Sequence, residues 1–167
     1  MSPIPDVQSV GVIVMPRLQL LNCFWLLLPV FAWNAIFASR LPQEGFKSDA
    51  GVPRSILLLE QLLRIGVFTL PVLLPLGWED QGSRAGLTLY VLGLLVYFAS
   101  WLPLIYLPAG AWSKSAMGLL APAYTPILWL AGIALAGGSW PYALLSLLFV
   151  SVHVHHNILA HGLLGAQ

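Results

Sequence analysis

Two groups of residues in this chain have types and spacings that could do chemistry. The first is a set of histidines: His153, His155, His156 and His161 all fall within nine residues of one apolar stretch. Neutral imidazole is a common ligand for zinc, iron and copper, and it titrates near neutral pH. The second is Glu60 with Arg64, four residues apart in another apolar stretch. An acid N-terminal to its base is the favourable order for a pair on one helix. Charged residues inside an apolar span are candidates for function. The plainer alternative is a local pair that lowers its own cost of insertion.

His153 and His156, one helical turn apart, point the same way and are the candidate metal ligands, with Glu60 as an added carboxylate. The run His153-Val154-His155-His156 is similar to the histidine boxes of membrane di-iron desaturases and hydroxylases. It covers four residues and its internal spacing is one short. Those enzymes also use several boxes on separate segments, whereas every histidine here sits on one. A haem held by two histidines needs one from each of two helices, which leaves a single axial histidine as the haem option. A metal or haem is therefore a secondary reading, and the residues name no cofactor. The single cysteine, Cys23, excludes an internal disulfide and a Cys-rich metal knuckle, and it reads as packing. Ser113 and Ser115 flank Lys114 without a serine-elbow pattern and read as solvated loop residues. No Gly-rich phosphate loop or dinucleotide fingerprint is present.

The elements that must position these residues follow from composition. The chain is 59% hydrophobic and 8% charged, against about 25% charged in an ordinary soluble domain. This is the composition of an all-α integral membrane protein, because a charge in mid-bilayer costs several kcal/mol. At 167 residues it is one domain. The formal net charge of +1 gives no electrostatic case for nucleic acid, and no basic cluster stands out for anionic lipid heads.

A spanning helix needs about 20 apolar residues. Five stretches qualify, over 18–39, 55–77, 86–107, 116–137 and 141–164. Pro103, Pro108, Pro122 and Pro126 interrupt the third and fourth, so these two are expected to be kinked, and the 102–126 stretch is where a broken segment would fall. The first 17 residues hold one acid, Asp6, and one base, Arg17, which is not a positively charged leader. The apolar run after them is expected to be a retained span. Arg40, Lys47, Arg54 and Lys114 fall on one side of the membrane, against Arg17 and Arg84 on the other. The positive-inside rule makes the side with the 40–54 loop cytoplasmic and the N-terminus external. Trp78, Trp112 and Trp140 fall at span ends, where indole rings favour the interface.

Depth brings the polar groups together. At about 1.5 Å per residue, Glu60 lies roughly 7 Å and Arg64 roughly 13 Å in from the side of the 40–54 loop. On the same side His161 is roughly 5 Å deep, His156 roughly 12 Å, His153 roughly 16 Å and Asn34 roughly 7 Å. Trp101 and Tyr124 lie at comparable depths. The far half holds little beyond Asn22, Thr69, Thr88 and Ser146. With about 100° per residue, His153, His156, Asn157, His161 and Ser146 share one face of the last span, and His155 points nearly opposite. That face is too polar for lipid and should look into the bundle, where Glu60 would pair with His161 or His156.

The preferred reading is a polytopic membrane protein that binds an amphipathic ligand in one half of the membrane. A quinone, tetrapyrrole, lipid or isoprenoid phosphate would place its polar end among His153, Asn157, His161, Arg64, Asn34, Trp101 and Tyr124. If the protein turns its ligand over, His156 or Glu60 is the expected acid or base. The alternatives are an accessory subunit of a larger membrane complex and a small transporter. The partners expected are membrane lipids, the small amphiphile and, in the second reading, other subunits.

Overall fold

A computed structural model describes residues 20–40 and 51–163. All regular structure among them is helical. A 3-10 turn over Cys23–Leu27 runs into α1, Leu28–Phe37. Then come α2, Arg54–Thr69, extended by a 3-10 turn over Leu70–Leu73, and α3, Gln81–Tyr106. The short α4, Ala111–Lys114, precedes α5, Ala116–Tyr124, and α6, Pro126–Ala136. The last helix is α7, Trp140–Ala160.

Four helical segments are long and apolar enough to cross a membrane: Arg54–Leu73, Gln81–Tyr106, Ala116–Ala136 and Trp140–Ala160. The stretch expected as the first span is helical over Cys23–Phe37 only, 5 residues in 3-10 form and 10 in α. Large apolar side chains such as Leu58, Leu62, Leu95, Leu144 and Leu147 cover the outer faces. An apolar surface of that extent is at home in lipid or against an apolar partner. Trp78, Trp112 and Trp140 lie exposed at or beside helix ends.

Local chemistry sets the helix ends. Asp80, Ser115 and Ser139 each cap a helix by accepting from a backbone amide of its first turn. The Ser83 hydroxyl and amide both donate to Asp80 and hold its carboxyl below its ordinary range. A lowered folded value means this contribution is present at neutral pH and is lost as the pH falls through the carboxylate range. Between α6 and α7 the chain reverses at Gly138, whose φ of +58° is open to glycine. The amides of Gly138 and Ser139 return to the carbonyls of Leu135 and Ala134, which closes the end of α6.

Three of the four interrupting prolines lie inside or at the start of helices, and Pro108 lies in the turn after α3. Pro103 lies inside α3 and Pro122 inside α5, while Pro126 opens α6 after Thr125. Proline denies a donor to the carbonyl one turn back, and nearby hydroxyls bond carbonyls in the same stretches. Thr125 donates to the Ala121 carbonyl at 2.8 Å. Ser113, expected in solvent, is buried instead, with its hydroxyl 3.0 Å from the Pro103 carbonyl and 2.8 Å from that of Leu107.

The tightest packing is between α3 and α6. A Cβ built on Gly93 would lie 2.5 Å from the Trp129 amide nitrogen, and one on Gly132 would lie 2.4 Å from that of Tyr90. The two backbones are therefore in direct contact. On its other side α6 meets α7, which packs in turn on α2. The first helix leans on α2 through Phe31 and Phe68, and on α3 through Trp33 stacked on Phe98. Buried hydroxyls tie the layers: Tyr90 donates to the Leu26 carbonyl at 2.6 Å, and Tyr142 donates to that of Val67 at 3.0 Å. Cys23 is buried in the core, as expected. Because backbone atoms cannot give way, Gly132→Val is expected to cost about 1–3 kcal/mol or more. In detergent it should melt well below the wild type, whereas Gly51→Ala, with open space around it, should melt with it.

Candidate functional site

The site is built on α2 and α7, which lie side by side. Glu60 faces α7 and is only 2% exposed, a depth at which a carboxylate needs donors on both oxygens. Three side chains supply them. Arg64, one turn further along α2, reaches Oε1. His153 Nδ1 sits 2.9 Å from the same oxygen. His156 Nδ1 bonds Oε2. Two imidazoles one turn apart thus grip the two oxygens of one carboxylate. Neighbours hold the grip in place: the His153 ring stacks on Phe149, with centroids 5.5 Å apart and planes 11° apart, and Phe149 meets Phe68 of α2 edge-on. The Asn157 amide donates to the His153 carbonyl at 2.8 Å.

The histidine partner differs from one of the two expected. Glu60 meets His156 and His153, not His161. The reason is the helix boundary, since α7 ends at Ala160 rather than Leu164. Counted from Ala160, His156 is roughly 6 Å and His153 roughly 10 Å from the helix end, level with Glu60 at roughly 9 Å from Arg54. His161 instead forms the exposed C-cap of α7. The angular reading of this face agrees with the burial: Ser146 is fully buried, His153, His156 and Asn157 are half-buried, and His155 is exposed.

The remaining candidates lie in two other places. Asn34 is joined to α3, with the Tyr97 hydroxyl 3.5 Å from its Oδ1. Trp101 meets Tyr97 edge to face at 6.5 Å, and the Tyr97 ring also meets Trp129. Tyr124 lines an open groove of about 420 Å³ between α3 and α5, with Ser100, Pro103, Trp112 and Thr125. No hydrogen bond, ion pair or ring contact among the described residues joins Asn34, Trp101 or Tyr124 to Glu60. The phenylalanines that hold His153 do not stand out in the sequence by type. Phe149 was legible there, since it precedes His153 by four residues and must share its face.

Among the described residues no group of three His, Cys, Asp or Glu side chains is arranged to hold a metal ion. His153 and His156 direct Nδ1 onto the carboxylate, so that edge of each ring is occupied by a hydrogen bond. What the arrangement provides is a desolvated carboxylate with a guanidinium and two oriented imidazoles, a set suited to hydrogen-bonding a polar group or moving a proton. Comparison of the chain with known protein families, curated proteins and solved structures finds no match, so the reading rests on these residues.

Hydrogen bonds to a charged group are worth about 1.5–3 kcal/mol, and removing the shared acceptor leaves three donors without it. Glu60→Ala is expected to destabilise the protein by about 2–3 kcal/mol, the Arg64 share being reduced by its exposure. His161→Gln should stay within about 0.5 kcal/mol. Denaturant unfolding of both variants in one detergent checks the contrast, and equal losses would remove Glu60 from the centre of the arrangement.

Proposed function

We propose that the protein crosses the membrane five times and binds an amphipathic ligand at the Glu60 group, in the half of the membrane nearer the 40–54 loop. The single observation that supports this is a carboxylate, buried between two apolar helices, with Arg64, His153 and His156 all in contact with it. Burying a charge is costly, and packed apolar residues in its place are often as stable or more so. A cluster retained at that cost points to use. The polar end of the ligand meets the cluster, and its tail lies along the apolar faces of α2 and α7.

A fifth crossing by residues 18–39 is consistent with the position of α1 beside α2 and α3. Its helical part, Cys23–Phe37, is roughly 25 Å long. The prolines of α3 and α5–α6 give those spans their bends, and the basic side of the bundle faces the cytoplasm. His156 and Glu60 are the acid–base pair if the ligand is turned over.

The test is extraction and mass spectrometry of small molecules from protein purified in mild detergent from its native membrane. An amphiphile at near-stoichiometric level is expected, falling about tenfold for each 1.4 kcal/mol of binding lost in Glu60→Gln and His156→Ala. Bulk lipid alone, unchanged in both variants, would sink the proposal.

A further inference from the structure

The same residues constrain the polar group that a ligand brings. We infer that Glu60 sets His153 as a hydrogen-bond acceptor through Nε2, and that the site takes a neutral, hydroxyl-bearing amphiphile in preference to an anionic one. This rests on the ligand-site reading above and narrows its substrate class.

The argument begins with proton counting. Glu60 is ion-paired with Arg64, and an ionised carboxylate only accepts hydrogen bonds. The nitrogen of each histidine that meets it, Nδ1 in both cases, must therefore carry the proton. A neutral imidazole has one N–H, so its other nitrogen holds a lone pair. In His153 that nitrogen is Nε2, and among the described residues it has no hydrogen-bond partner. The ring cannot swing freely, because Nδ1 is on the carboxylate and one face is stacked on Phe149. Nε2 is thus an acceptor with a set direction, in a side chain that is 24% exposed.

Charge counting then selects the ligand. The Glu60 carboxylate and the Arg64 guanidinium cancel, and a His153 that carries its one proton on Nδ1 brings no positive charge to Nε2. An incoming phosphate or carboxylate would meet a lone pair at Nε2 and a carboxylate behind it, while the pull of Arg64 is already offset by Glu60. A hydroxyl would instead donate directly to Nε2. Among amphiphiles, this favours long-chain alcohols, hydroquinones and lipids with a free hydroxyl over isoprenoid phosphates.

Histidine ¹⁵N NMR of the full chain in bilayers reads the tautomer without any ligand, His153 being identified by the signal missing in His153→Gln. A protonated Nδ1 and a bare Nε2 are expected. In Glu60→Gln, with one oxygen acceptor left, one of the two histidines should move its proton to Nε2. Dodecanol should then shift the His153 Nε2 signal in the wild type, and dodecyl phosphate at the same level should not. An Nε2–H tautomer or an imidazolium in the wild type overturns the inference. So does a response to dodecyl phosphate alone, an outcome that leaves the ligand site itself standing. No response to either amphiphile also overturns it, and with only bulk lipid in the extract it removes the ligand-site reading too.

Discussion

A carboxylate buried to 2% exposure between apolar helices has to find donors within the protein, because burial removes most of its contact with solvent. Much of the half of the molecule around Glu60 is organised by that constraint. The acid sits on α2, so α7 must bring its histidines to the same level, and α7 can do so only with its polar face turned inward. Turning that face inward also buries Ser146 and Phe149 and leaves His155 outside. A single side chain thereby sets the rotation of one helix and its register against another.

The other half of the molecule is held by a different kind of contact. Between α3 and α6 the approach is backbone to backbone, made possible by glycines at the crossing. Such a contact has no long side chains that can repack. Between α2 and α7 the contact is made of a charged cluster and stacked rings, which have alternative rotamers and alternative partners. Any rearrangement that accompanies ligand entry is therefore expected on the α2–α7 side, with α3 and α6 as its frame.

Much of this was legible in the residues. Four of the five apolar stretches correspond to helices of spanning length, and the inward face of α7 could be read from the 100° advance of His153, His156 and Asn157. The importance of Glu60 was plain from its place in an apolar run. The pairing was less so, because depth depends on where a helix ends, and apolar content alone does not fix the end of α7. A shift of four residues at the end of α7, from Leu164 to Ala160, exchanges His161 for His153 as a partner. Asn34, Trp101 and Tyr124 show the limit of depth as a guide. Counting along the spans assigns them similar depths, but depth carries no information on the order of helices around the bundle, and they face Tyr97 or the groove beside Pro103. The glycine contact between α3 and α6 was hidden for a related reason: single glycines on two helices acquire meaning only once the helices are known to cross there.

The wide separation of the Glu60 partners along the chain has a consequence for synthesis. Arg64 follows Glu60 by four residues, but His153 and His156 follow by 93 and 96. A ribosome delivers α2 long before it delivers α7. During that interval the nascent helix carries its acid with only the guanidinium one turn away to shield it. The i,i+4 pair with Arg64 is thus the part of the Glu60 shell that α2 can make by itself, and the histidine part waits for α7.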